Sequence, residues 1–194
     1  MSAVLDVSKP TPLRLFGFLF TAAGGLLIAW GAISDWATVV FQGQSFPNSA
    51  TPGVDVVEGK VALGLGVLLL VAIVSMRLVS TAAGRRALAI AICLAAALAL
   101  AIGVVDMLRA EDRFGDYAVE QIAQRIADAT GVPIEQVRDD VQAQIDREGS
   151  IELGIGLWLV VAGGGLGLVG GLLDLAWVGQ QRLREASAVA DGSG

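Results

Sequence analysis

The sequence predicts an all-α integral membrane protein: a four-transmembrane-helix bundle with both termini inside, carrying an amphipathic helical hairpin on its outer side. Three observations predict it. The 194 residues are 55% hydrophobic and only 16% charged, against about 25% charged in soluble domains. Four apolar runs reach the roughly 20 residues that cross a hydrocarbon core of about 30 Å. The polar segments between those runs alternate in the sign of their charge, basic on one side and acidic on the other.

The spans read at residues 15–33, 61–79, 87–105 and 151–178. The first is long for a cleavable signal, has no small-x-small cleavage site and runs on to Trp30 and Trp36, so it is expected to be retained. Arg77 lies near the end of the second span, where its long side chain can reach the headgroups. Cys93, the single cysteine, stands in the third apolar run and reads as a small buried hydrophobe. Residues 1–14 then form an N-terminal segment, 34–60 a first outer loop, 80–86 an inner connection, 106–150 a second outer segment and 179–194 a tail. The last ten residues are small and polar, the composition of a loosely held terminus.

Orientation follows from the basic residues. Lys9 and Arg14 precede the first span, Arg77, Arg85 and Arg86 stand at the short connection, and Arg182 and Arg184 follow the fourth span. All fall on one side of a four-span chain, and that side is expected to be the cytoplasm of a cell membrane with anionic headgroups. Trp30, Trp36 and Trp158 would form an aromatic belt at the outer interface and Trp177 its inner counterpart.

The first outer loop has two short β-branched runs, 36–42 and 54–58, around a linker with Gly43, Pro47, Pro52 and Gly53, which predicts a small β-hairpin. In the second, Tyr117, Val119, Ile122, Ala123 and Ile126 recur at helical spacing. After Thr130 and Gly131, Ile134, Val137, Val141 and Ile145 do the same. Pro133 suits a first helical turn, and Glu135 and Asp139 favour its positive end. Each helix of this hairpin has an apolar stripe to cover. The other helix, the first loop, the membrane surface or a partner protein could cover it, which makes Ile122, Ile126, Ile134, Val137 and Val141 partner-docking candidates. The excess of acids weakens the membrane-surface option.

Helices in lipid associate through close backbone approach at small residues. Gly163, Gly167 and Gly171 repeat every four residues in the fourth span, Gly17, Thr21, Gly25 and Ala29 in the first, and Ala87, Ala91 and Ala95 in the third. Such ridges can interlock within one chain or join it to another membrane protein or a second copy. Gly164, Gly165 and Gly170 widen the surface beyond what one ridge needs.

The chain has no histidine, which excludes imidazole acid–base chemistry and histidine metal ligation, and one cysteine excludes an internal disulfide or thiolate cluster. Asp174, the only acid inside the fourth apolar run, is expected to pair with Arg77, Arg85 or Arg86 and fix the register of the spans, a proton or ion relay being the alternative. Asp35, Asp106 and Glu152 fall at outer helix ends; only a hard, oxygen-ligated cation would suit them, and no metal site is expected. Asp139 and Asp140 are adjacent on a helix and diverge. The glycines at 163–165 and 167 lack the lysine and preceding strand of a phosphate loop, and no catalytic motif is present. Basic residues are too few and dispersed for nucleic acid.

Four spans with a shorter first and a longer second outer loop resemble the layout of tetraspan proteins such as tetraspanins and claudins. Their outer-loop cysteine signatures are absent, so their function is not carried over. The expectation is a non-enzymatic, cofactor-free accessory, assembly or structural subunit of a larger membrane complex. A homo-oligomeric pore or small-solute transporter is the alternative, with Asp35, Asp106, Thr21 and Asp174 as its first candidates.

Overall fold

The computed structural model describes residues 12–41, 44–45 and 50–191, and the chain is mostly helical. Its helices are α1 (Pro12–Ile33), α2 (Val57–Leu78), α3 (Ala82–Leu108), α4 (Ala110–Thr130), α5 (Ile134–Glu148) and α6 (Ile155–Asp191). Of these α1, α2, α3 and the Ile155–Gln181 part of α6 are long and apolar enough to cross a membrane. They run alternately up and down, so both ends of the described chain lie at one end of the bundle, here called the open end, and the described residues between α1 and α2 and between α3 and α6 form a cap at the other. Thr81 starts α3 by accepting the Gly84 N–H at 3.2 Å, a hydroxyl satisfying one of the donors a helix start leaves over. The tail expected to be loose continues α6 without a break to Asp191.

The bundle is held where side chains are missing. A methyl group at Gly24 of α1 would lie 2.6 Å from Gly163 O and 2.6 Å from Gly167 N of α6, and one at Gly31 would lie 2.6 Å from Gly156 O. Only glycine lets the two backbones touch there. The α6 residues facing α1 are Gly156, Val160, Gly163, Gly167, Gly170 and Asp174, whose separations alternate between four and three. The predicted ridge at Gly163, Gly167 and Gly171 is therefore not one surface. At 3.6 residues per turn a strict four-residue repeat drifts about 40° per step, and Gly171 instead meets Cys93 and Ile92 of α3. The same drift parts Gly17, which faces Asp174, from Gly25, which faces Gly66 and Leu70 of α2. The extra width divides likewise: Gly164 meets Leu100, Gly170 meets Thr21, and Gly165 has nothing within 4 Å.

The cap is not all helical. It holds an antiparallel sheet of β1 (Asp35–Phe41), β2 (Gln44–Ser45), β3 (Thr51–Pro52) and β4 (Gly149–Leu153). β1 is central, pairing with β2 and β3 on one side and along its length with β4 on the other, Val39 opposite Ile151. The expected hairpin is thus corrected in its second strand alone, since β1 does fold back antiparallel on β2 within the first outer loop. Its second strand at 54–58 is instead a 3-10 turn, Gly53–Asp55, and the first residues of α2. The main partner of β1 comes from the head of what the sequence reads as the fourth span. Lys9, Gly43 and Pro47 lie outside the described residues.

Helices α4 and α5 pack on each other and on β1 through one cluster that includes Val39, Val119, Ile122, Ala123, Val137, Val141 and Ile145. Their turn ends on Gly131 at φ 74°, whose N–H reaches Ala127 O at 2.8 Å, the left-handed cap that favours glycine. The exposed pair Arg138 and Glu120, at 3.6 Å, joins the two helices and adds little.

Candidate functional site

The indole of Trp36 is fully buried where cap and bundle meet. Its Nε1 donates to Gly31 O at 2.9 Å, Gly53 and Gly156 leave room for the ring, and Gly154 N–H donates to Trp36 O at 2.8 Å. Trp36 is therefore a core residue and not part of an interface belt. A tryptophan beside charged loop residues looks the same in sequence whether it turns outward or inward. Trp177 is corrected in the same way, being 7% exposed, whereas Trp30 and Trp158 expose 65% and 56% of their surface.

The docking candidates are mostly occupied. Ile122, Val137 and Val141 are each at most 8% exposed and Ile134 packs against their cluster, so the two stripes cover one another and β1; Ile126 alone stays 38% exposed. The outer carboxylates do not assemble. Asp35 and Glu152 are exposed, and Asp106 is buried. Asp106 instead shares a cavity of about 170 Å³ between bundle and cap with Val56, Glu58, Phe114 and Tyr117. Among the described residues no three His, Cys, Asp or Glu side chains could hold a metal together.

At the open end, Asp174 is 2% exposed and faces Gly17, whose missing side chain makes room for the carboxylate. Among the described residues no ion pair joins Asp174 to an arginine, and its Oδ2 has no hydrogen-bond partner. The expected pairing with Arg77, Arg85 or Arg86 is thereby corrected. Arg85 donates to Val79 O at 2.9 Å and lies 5.6 Å from the Trp177 ring centre. Arg14 also lies over the Trp177 indole, 5.0 Å from its ring centre, and Arg77 lies 4.3 Å from the Phe18 ring centre. The guanidinium groups of Arg14, Arg77 and Arg85 therefore rest on aromatic rings. A cavity of about 20 Å³ lies among Arg14, Phe18, Ile73, Met76, Arg77 and Asp174, enough for one water-sized group.

One surface was missed by sequence reading. On the side of α6 turned away from α1, Trp158, Ala162, Gly165, Val169, Leu172, Ala176 and Gly179 also alternate by four and three residues, and all but the half-buried Gly165 are exposed. Gly165 and Gly179 have nothing within 4 Å of where a side chain would begin. The seam thus mixes Ala162, Gly165, Ala176 and Gly179 with the large Trp158, Val169 and Leu172, whereas the exposed face of α1 carries large residues such as Leu19, Leu26 and Trp30. The signal was present in the surplus Gly165, but only the position of α1 shows which glycines are surplus. No protein-family model matches the chain, and no curated protein matches it in sequence.

Proposed function

We propose that the protein is a non-enzymatic accessory, assembly or structural subunit of a larger complex in a cell membrane, with both termini in the cytoplasm and the cap outside. The single observation that carries this reading is the outward seam of α6. Small residues at heptad-like spacing, here Ala162, Gly165, Ala176 and Gly179, allow the close backbone approach of a helix docking from another subunit. Orientation rests on the arginines at the open end and the acids of the cap. The stripes of α4 and α5 are already buried against each other and β1, so the contact with a partner is assigned to the seam and not to those stripes.

The test is extraction from the native membrane in mild detergent followed by native mass spectrometry. Wild type is expected to carry a stoichiometric heterologous subunit, and Gly165→Leu with Ala176→Leu to lose it while the isolated chain keeps its thermal stability. Retention of the partner by that variant would defeat the reading. A closed homo-oligomer with no second mass would move the weight to self-association. The seam is apolar, so a pore built on it would need its polar lining from elsewhere, and Asp35→Asn or Asp174→Asn should then alter flux without altering assembly.

A further inference from the structure

The open-end cavity has features that a merely structural cluster does not need. Its rim carries Arg14 and Arg77, both exposed, each with its guanidinium over a ring. Stacking occupies the flat face of a guanidinium and leaves its N–H edge pointing away, the edge through which a phosphate is bound. Phe18, Ile73 and Met76 give apolar walls. At its floor stands a carboxylate 2% exposed whose Oδ2 has no hydrogen-bond partner among the described residues. A buried, unsatisfied acceptor of this kind is costly unless something donates to it.

We infer that this cavity binds the headgroup of an aminophospholipid, its phosphate on Arg14 and Arg77 and its primary ammonium on Asp174. Each part matches in chemistry and size. An ammonium brings the donors that the lone carboxylate oxygen lacks, and it is about the size of the one water that a space of about 20 Å³ admits. A trimethylammonium has no N–H and does not fit. Arg14, Arg77 and Asp174 line the same small cavity, so a phosphate and an ammonium joined by a two-carbon bridge can reach the arginines and the carboxylate together. An anionic lipid without an amine satisfies the arginines but leaves its negative charge beside Asp174. The inference needs only that the four spans lie in a bilayer, and so stands apart from the accessory reading.

The test is native mass spectrometry of the full chain titrated with phosphatidylethanolamine, phosphatidylglycerol and phosphatidylcholine of identical acyl chains, and with the mono- and dimethylated ethanolamine lipids. Wild type is expected to bind the ethanolamine lipid about tenfold more tightly than the choline lipid, the size of one charge-assisted hydrogen bond, and to fall stepwise with methylation. Asp174→Asn should remove that preference and leave phosphatidylglycerol bound at least as tightly as before, since it removes a like charge beside the anion, while Arg14→Gln with Arg77→Gln should weaken all the lipids. Equal binding of ethanolamine and choline lipids, tighter binding of phosphatidylglycerol than of either, or a preference that survives Asp174→Asn would overturn the inference. The methylation series on wild type decides the matter even where the Asp174 variant fails to fold.

Discussion

The bundle and the cap are built from the same chain by opposite means. In the bundle the helices meet where side chains are absent: Gly24 against Gly163 and Gly167, Gly31 against Gly156, Gly66 against Ala29. In the cap the elements meet through side chains, Val39 of β1 among Ile122, Val137, Val141 and Ile145. The solvent explains the difference. Lipid is as apolar as leucine, so although Ile28, Leu69, Ile92 and Leu157 are buried in the bundle, turning them inward gains little and close contact at small residues decides the packing. Water drives apolar surface together in the cap, so large residues do turn inward there.

The largest expected effect breaks the bundle half of that comparison. Gly163→Leu or Gly24→Leu forces a side chain into the backbone of the facing helix. Overpacking usually costs about 1–3 kcal/mol, but backbone at 2.6–2.7 Å cannot turn aside as a side chain can, so these variants are expected to fall outside that range and fail to elute as folded monomer in detergent. Gly165→Leu, with nothing within 4 Å, should elute unchanged. Next comes the junction. Trp36→Ala removes a fully buried indole and its hydrogen bond to Gly31 O, an expected loss of about 3–5 kcal/mol. Because that ring touches both regions, hydrogen exchange should quicken in the cap and at the cap end of α1 together. Loss of protection in only one of them would show that the two regions are more independent than the shared ring implies.

The two regions were also unequally legible in the sequence. The four spans and both cap helices were open to reading because each announces itself locally, by an apolar run or by a stripe at helical spacing. The pairing of Val39 with Ile151 was not, since no periodicity links strands so far apart, and Gly149–Leu153 merged into the apolar run of α6. Small residues were visible but their partners were not. Gly163, Gly167 and Gly171 look like one ridge until three neighbours are placed around them, and Gly165 looks like excess width until it is seen to face outward. Asp174 was visible as an anomaly, and its separation from the arginines depended on rings at Phe18 and Trp177 that could be known only in three dimensions. Periodicity reveals which residues turn inward, and the choice of partner among several inward faces is settled by the whole assembly.

A middle-sized effect sharpens the cap half. Ile122→Ala leaves a cavity among Val119, Val137 and their neighbours, and at 8% exposure the expected loss is about 2–3 kcal/mol. Exchange protection in α4 and α5 should fall while that of the glycine contacts between α1 and α6 stays as in wild type. A matching loss in the bundle would mean that the cap holds the spans together, which the division between side-chain and backbone packing does not allow.

The smallest effect separates two uses of glycine. Gly131 is the only glycine with a positive φ among the described residues, and nothing lies within 4 Å of where its side chain would be. Gly131→Ala therefore carries a backbone cost alone, about 1 kcal/mol for holding an L-residue in the left-handed region. Asparagine, which tolerates that region better, should recover part of it. At Gly24 the order should invert: alanine already collides with Gly163, and asparagine, being larger, should be worse. Thermal unfolding of the four variants in one detergent measures the contrast. If asparagine rescued neither site, space rather than dihedral angle would govern both regions, and the cap turn would have to be packed in a way its open surroundings do not provide.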